Sequence, residues 1–312
     1  MNVRDFEYIM ELSKAKSISK ASQALYISQP ALSKFLQKME AEVGTPLFQH
    51  VGRQLVPTYA GEQCIQTASE ILFLHEQLMS NLADIVHEKN GHIKLGLPLS
   101  RSEYFIAEIL PMFYRQFPDI CISVYEESAK VLLKMLRMGE LNLVFSSMQD
   151  EHRELVYEVV SQEEMVLAAP EEYGLQQFGV YKEGYRYPCL SPEHWKVYPF
   201  LTLSEDQMSR AFADRYLEKH RIEPKTILKI RNLGRIIFSV QQGLGVTICP
   251  SMPILEENEN KKVCYFSLES EEGPAVRLTS IAYRRDAYLS VAEKALIELI
   301  KNHFDSKQIH ER

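Results

Sequence analysis

The residues whose types and spacing could do chemistry cluster in one short segment, Ser28-Gln29-Pro30-Ala31-Leu32-Ser33-Lys34. A glutamine amide pairs bidentately with adenine, a serine hydroxyl bonds several bases, and the small apolar surfaces of Pro30 and Ala31 suit a thymine methyl. Lys34, Lys38 and, further along, Arg53 carry charges that hold phosphates, so they set affinity and salt dependence rather than sequence preference. This is the chemistry of reading double-stranded DNA. Phe35, on the same run, either packs locally or touches sugar.

Such a segment works only if a helix presents it. Ser28 is a good N-cap and Pro30 fits a first helical turn, where its missing N–H is no loss, so a helix is predicted to start at Ser28 or Gln29. Leu32, Leu36, Met39 and Val43 then form a buried stripe, with Gln29, Ser33, Lys34, Gln37 and Lys38 on the other side. Upstream, Ser17 or Ser19 caps a second helix with Ala21, Ala24 and Leu25 inward. Only Tyr26-Ile27 remains as a connection, which suggests helix-turn-helix. A first helix from Arg4 to about Lys14 buries Phe6, Ile9, Met10 and Ser13. Gly44 is a left-handed C-cap, and Leu47-Phe48 through Leu55-Val56 forms a two-stranded wing turning at Gly52. Residues 1–61 therefore read as a winged helix-turn-helix; periodicity alone also fits the ordinary amphipathic helices of a small α domain.

The residue string is more specific than the periodicity. S-x-x-K-A-S-x-A-L-Y-I-S-Q-P-A-L-S-K from Ser17, G-T-P-L-F from Gly44 and R-x-L-V-P-T-x-A-G from Arg53 closely resemble the DNA-binding domain of LysR-type transcriptional regulators over residues 3–61. Lys16 stands where that family favours glycine, Ser22 where it favours alanine, His50 where it usually has arginine, and Pro57 where it usually has leucine. None of these removes a base-reading position, though His50 weakens the phosphate grip of the wing. The resemblance implies a homodimer or homotetramer assembled through a linker helix.

At 312 residues the chain suggests two or three domains. The 46% hydrophobic and 25% charged residues are those of a soluble globular protein. Cys64, Cys121, Cys189, Cys249 and Cys264 show no C-x-x-C spacing, so neither a zinc site nor a disulfide framework is expected, and no other metal or cofactor. The first residues lack a signal-peptide core and no 18-residue apolar run occurs, so a cytoplasmic protein without membrane contact is expected. The net charge of −7 is unevenly spread: residues 1–60 hold seven Lys/Arg against five Asp/Glu, a net +2 that leaves −9 on the remainder. The acidic body repels phosphate and leaves orientation on DNA to the basic head.

From Thr58, an N-cap, to about Lys89 there is no proline, and a helix of roughly 45 Å is predicted over residues 58–89. Ile65, Leu72, Met79 and Val86 repeat every seven residues, as do Cys64, Ile71, Leu78 and Ile85, with Ala68, His75 and Leu82 between. That stripe is too wide for a two-helix seam, so one flank is expected to meet a symmetry mate and the other the DNA-binding domain. Glu88-Lys89-Asn90-Gly91 reads as a hinge-like break.

Residues 92–304 alternate strand and helix, predicting a two-lobed α/β effector domain similar to periplasmic binding proteins, with a parallel sheet and helices on both faces. Lobe I takes about 92–162 and 268–304, lobe II about 163–267, the chain crosses twice, and 305–312 is a disordered tail. Gly139-Glu140-Leu141-Asn142-Leu143 and Gly243-Leu244-Gly245-Val246-Thr247-Ile248-Cys249-Pro250 look like elements of LysR-type effector domains. The second string precedes a strand and lacks a third glycine, so it is read as a tight turn between close backbones, not a nucleotide loop. Asp150-Glu151-His152-Arg153-Glu154 is read as a solvated face. The aromatic segment Glu171 to Tyr198 departs from the family, and a packed satellite is favoured over a lid.

Ligands of such sheets bind beyond the carboxyl ends of strands. Ser100, Ser128 and Thr202 sit at such ends, and by resemblance they match effector-contacting positions; helix capping accounts for them equally well. Arg101 supplies a charge for a carboxylate or is a solvated surface charge, and Ser146, Ser147 and Thr247 are further contributors from the hinge or second lobe. With no G-x-S-x-G, G-K-[ST] or H-E-x-x-H, the expected function is a DNA-binding regulator controlled by a small-molecule effector such as a small organic anion or carboxylate, and not an enzyme. Alternatives are a regulator without a small-molecule effector and a solute-binding module without DNA function.

Overall fold

A computed structural model describes residues 1–86, 91–147, 152–205, 207–251, 262–268 and 273–310. The head holds α1 (Val3–Ala15), α2 (Ile18–Ala24), α3 (Gln29–Val43) and a wing of β1 (Phe48–Val51) paired antiparallel with β2 (Gln54–Pro57). Ile9, Met10, Leu12, Ala21, Leu32, Leu36, Met39, Leu47, Phe48 and Leu55 form its core. Ala24 and Val43 are exposed and Ser13 is only half-buried, against expectation. Ala24 closes its short helix and Val43 is the last residue of α3 before the Gly44 cap, where the helix runs past the core.

Helix α4 (Tyr59–Ile85) is 27 residues long, about 40 Å. Thr58 caps it, accepting from the Gly61 N–H at 3.1 Å and donating to the Pro46 carbonyl at 2.7 Å, which ties wing to linker. Gly61 is required here, since a Cβ would lie 1.9 Å from the Leu47 carbonyl oxygen. The helix has three successive environments. Ile65 and Ala68 are buried in the head core. From Ser69 onward one side docks on lobe I: the Ser69 hydroxyl donates to the Met138 carbonyl, Arg284 lies 4.0 Å over the Phe73 ring, and Asp84 accepts from the Tyr288 hydroxyl at 2.9 Å. The opposite side leaves Leu74, Leu78, Met79, Leu82 and Val86 exposed, and His75 with them. So the flanks expected for a mate and for the head are sequential rather than side by side, and lobe I is a third partner. Three of the four residues of the hinge-like break, 88–90, lie outside the described residues.

Lobe I continues with β3 (Gly91–Leu97), α5 (Leu99–Tyr104), a π turn at Phe105–Ile109, α6 (Leu110–Tyr114), β4 (Ile120–Glu126), α7 (Ala129–Arg137) and β5 (Leu143–Ser147). Pro111 removes an amide from this helical stretch, and the wider turn just before it re-registers the ladder. Strand β6 (Leu155–Pro170) runs 16 residues through both lobes. Lobe II adds short turns at Glu171–Tyr173 and Leu175–Phe178, α8 (Pro192–Trp195), β7 (Phe200–Leu203), α9 (Met208–Lys219), β8 (Thr226–Ile230), α10 (Leu233–Gln241), β9 (Thr247–Pro250) and β10 (Val263–Ser267). Strand β11 (Val276–Arg284) returns to lobe I, and α11 (Val291–His310) ends the described chain.

The sheet is mixed rather than parallel, in the order β10-β6-β11-β5-β3-β4 with β9 on β6. Only β5-β3-β4 is parallel there; β6, β9, β10 and β11 pair antiparallel, because the two crossing strands run in opposite directions. Helix α11 continues to His310, through most of the stretch expected to be a disordered tail. Trp195, Leu175 and Leu190 are buried in the lobe II core, and Tyr173 stacks on Tyr198 at 4.2 Å, so the aromatic segment is a packed satellite.

The Gly243-x-Gly245 turn works as its sequence suggested. Gly243 has φ +77°, and a Cβ on Gly245 would lie 2.3 Å from the Pro199 carbonyl oxygen. Gly245→Ala is expected to lower stability by about 1–3 kcal/mol, read as an earlier midpoint in urea unfolding.

Candidate DNA-reading surface and effector cleft

The head presents α3 on its outer side. Ser28 accepts from the Ala31 N–H at 3.3 Å and fixes the first turn, so Gln29, Pro30 and Ala31 are exposed at the helix start, with Ser33 half-buried behind them. Lys34 and Lys38 follow on the same side; Lys38 lies 3.7 Å from Glu42, an exposed contact of little energy. Arg53 is exposed beside Gly52 at the wing tip, where φ is +61°. Phe35 packs locally, meeting Tyr8 edge-on at 5.0 Å between ring centroids. Tyr26 in the turn adopts φ +54° and is 96% exposed. Lys16 is the left-handed C-cap of α1 at φ 52°, which gives a backbone reason for glycine there.

The second candidate site lies between the lobes. Pro98, Ser100, Arg101, Ala129 and Ser147 on the lobe I side face Gln207 and Ser209 of lobe II across Arg277 on β11, enclosing about 20 Å³, room for one water. Arg101 is not a solvated charge: it is 2% exposed and lies 5.5 Å over the Phe145 ring. Its Nη2 donates to Ser147 Oγ at 2.8 Å, Thr279 Oγ1 at 3.1 Å and, closest, to Glu163 Oε1. The same Glu163 oxygen accepts from Arg277 Nε at 2.5 Å, and Arg277 Nη1 donates onward to Ser209 Oγ at 3.1 Å. Arg277 and Glu163 are register partners on the crossing strands. One carboxylate oxygen thus joins lobe I to the hinge, and Arg277 continues the link to lobe II.

Burial lowers the Arg101 pKa to about 10, still charged at neutral pH. Burial by itself raises the Glu163 carboxyl, but Arg101 and Arg277 outweigh it and hold it below the usual carboxylate range. The cluster thus sets two guanidiniums against one carboxylate.

The comparisons agree with this geometry. Residues 3–62 match the model of the bacterial regulatory helix-turn-helix proteins of the lysR family, and residues 87–305 match the LysR substrate binding domain. The chain belongs to the LysR family. Its relatives include an uncharacterized HTH-type transcriptional regulator, YcgK, of Bacillus subtilis, 25% identical over 98% of this chain and 97% of that protein. A hydrogen peroxide-inducible genes activator of Haemophilus influenzae is 26% identical over 98% and 99% of the two chains. A full-length OxyR variant from Pseudomonas aeruginosa has the same fold, with a TM-score of 0.68 at 19% identity, covering 97% of each chain. The LysR family regulator CbnR aligns with a TM-score of 0.63 at 16% identity over 97% and 99% of the chains. This chain is accordingly a DNA-binding transcriptional regulator with an effector-binding domain and not an enzyme.

Of the sequence-predicted effector residues, this LysR-family cleft brings together Ser100, Arg101 and Ser147. Ser128 only abuts it, through Ala129, and caps α7 without a side-chain hydrogen bond. Thr202 and Thr247 lie elsewhere, buried on β7 and β9, and Ser146 turns its hydroxyl to the Ser147 carbonyl. Sequence reasoning missed Glu163, Arg277, Thr279, Gln207 and Ser209. The available signal was charge inside apolar strand patterns, at Glu163 before Met165-Val166-Leu167 and at Arg277 between Val276 and Leu278. Residues 150–151 of the mixed-charge run lie outside the described residues, while Glu154 pairs with Arg137 at 3.1 Å on the surface.

Removing the central charge leaves one buried and one half-buried guanidinium without their shared partner. Glu163→Gln is expected to cost about 3 kcal/mol of stability at neutral pH. Because the folded-state pKa of Glu163 is lowered, the stabilisation from its charge is complete above the ordinary value of 4.5 and is lost as pH falls through the lowered value. The gap between wild type and variant in urea unfolding should therefore close on acidification.

Proposed function

We propose that this regulator reads operator DNA through Gln29, Pro30, Ala31 and Ser33, seated by the Ser28 cap, and holds phosphates with Lys34, Lys38 and Arg53. It acts in the cytoplasm, where its DNA lies; among the described residues no helix is long and apolar enough to cross a membrane. The exposed stripe Leu74, Leu78 and Leu82, one side of α4 at i, i+4 and i+8, supports self-association through the linker helix, as a dimer or tetramer. Two heads so joined place recognition helices about one DNA turn apart or a multiple of it.

Control runs through a small anionic effector at the inter-lobe cleft. The observation that carries this is the excess of arginine over carboxylate at Arg101, Glu163 and Arg277, in a space ringed by Ser100, Ser147, Ser209 and Gln207. A cleft closed to about 20 Å³ admits a ligand only by opening, so effector binding shifts the population of lobe arrangements. Thr202 and Thr247 take no direct part. The peroxide-inducible relatives raise a thiol trigger as a second reading, which the buried and half-buried sulfurs disfavour. Burial pushes Cys249 up to about 12 and raises Cys64 and Cys264, away from the reactive thiolate; Cys121 is exposed.

Gel shifts test the division of labour on DNA. Gln29→Ala should cost about 1–3 kcal/mol on the specific site and relax preference at one base position, whereas Lys34→Ala should weaken specific and random DNA alike and reduce the salt slope by about 1. Equal losses on both DNAs from both variants would refute that division. For control, Arg101→Met should retain specific DNA binding and lose every effector-dependent change in it; an unchanged response would move the effector site out of the cleft.

A further inference from the structure

The cleft has an electrostatic feature that defines its ligand more narrowly than "anion". Among the described residues that line it, Arg101 and Arg277 are the two that carry charge; the remainder are Pro98, Ala129, Gln207 and three serines. Glu163 is absent from the lining. It sits behind both arginines, 3% exposed, and one of its oxygens serves both guanidiniums. Its other oxygen, Oε2, is buried without a hydrogen-bond partner among the described residues. Among the described residues, Glu163 therefore neutralises one of the two positive charges from the protein side and leaves a net +1 facing the cavity. Its position is fixed by backbone: it is the register partner of Arg277 across β6 and β11, and Thr279, two residues along the same face of β11, holds Arg101 at 3.1 Å.

A buried site binds best the ligand that cancels its charge, because each uncompensated charge in low dielectric is costly. We propose that Glu163 is the specificity-determining residue of the effector cleft: by cancelling one arginine charge it selects monoanions, such as a monocarboxylate, over dianions. The inference rests on the anionic-effector reading above and goes further by fixing the charge class and the residue that sets it. A dianion in this cleft brings one negative charge more than the arginines have left uncompensated; a monoanion completes the balance. The serine hydroxyls and the Gln207 amide then hold the neutral part of the ligand.

The test uses the full-length protein and two probes of equal carbon count, butyrate with one charge and succinate with two, each titrated at neutral pH against thermal unfolding. Wild type should be stabilised by butyrate at concentrations about tenfold lower than succinate requires. In E163Q the facing charge becomes +2 and the order should reverse by a similar factor. The double variant E163Q/R277Q returns the net charge to +1 and should restore the preference for butyrate, an outcome that a merely structural role for Glu163 does not produce. Should E163Q fail to fold, R277Q alone takes its place: its cleft is neutral, and its affinity for butyrate should fall about tenfold. Wild-type order in E163Q, or no response to either probe in wild type and E163Q alike, overturns the assignment, as does undiminished butyrate binding by R277Q. Arg101→Met separates the two levels of the argument. If it binds the probes as well as wild type does, the anion site lies outside the cleft and the effector reading fails. If it abolishes binding while E163Q keeps the wild-type order, that reading stands and the charge assignment alone falls.

Discussion

The regulatory half of this protein depends on one carboxylate oxygen. Glu163 Oε1 holds Arg101 from the start of a lobe I helix and Arg277 from the returning strand, and Arg277 reaches Ser209 at the start of a lobe II helix. A buried charge group of this kind is weak evidence for stability, because desolvation consumes much of the Coulomb gain. Its effect is on geometry. Two cations sharing one anion tolerate few arrangements of the strands that carry them, so the network sets how far the lobes close. An ion that competes for either guanidinium alters that closure, which gives the site a physical route from binding to shape.

The route from shape to DNA passes through α4. That helix begins as part of the head core, with Ile65 and Ala68 buried among head side chains. It then lies along lobe I, where Phe73 sits beneath Arg284 and against Gly139, whose φ of +73° and missing Cβ leave the ring its space. Lys14 of the head pairs with Glu140 on the adjacent loop at 3.1 Å, and Lys94 at the first strand of lobe I pairs with Glu76 at 2.5 Å. Head, linker and lobe I thus share continuous contacts, while lobe II is joined to them through the crossing strands and the cleft. The G-E-L-N-L loop is where head, linker and lobe meet.

The local structure of α3 was legible almost residue by residue. Ser28, Pro30 and Gly44 are local signals whose cost is local, so the cap, the first turn and the left-handed stop of α3 follow from neighbours within four residues. Ala24 and Val43 went wrong because periodicity says nothing about where an element runs out of partners. The cleft was half legible. Ser100, Arg101 and Ser147 follow strands whose ends the pattern predicted, but Arg101 looked like a surface charge because its partners are 46, 62 and 178 residues away.

What the sequence by itself determined is the class of the protein, the winged head with the exposed start of α3, the linker helix, the alternation of two α/β lobes and the close backbone approach at Gly245. Each is encoded by residues near one another in the chain, where propensity, capping and hydrophobic period act. What only the tertiary structure decided is the mixed sheet, the length of β6, the docking of α4 on lobe I and the pairing of Glu163 with two arginines. These arise from elements far apart in the chain, and no local signal records which buried charge will face which. The segment Ser28 to Lys34 states what the protein does to DNA; Glu163, central in its strand and invisible to periodicity, sets the charge of the cleft that governs it.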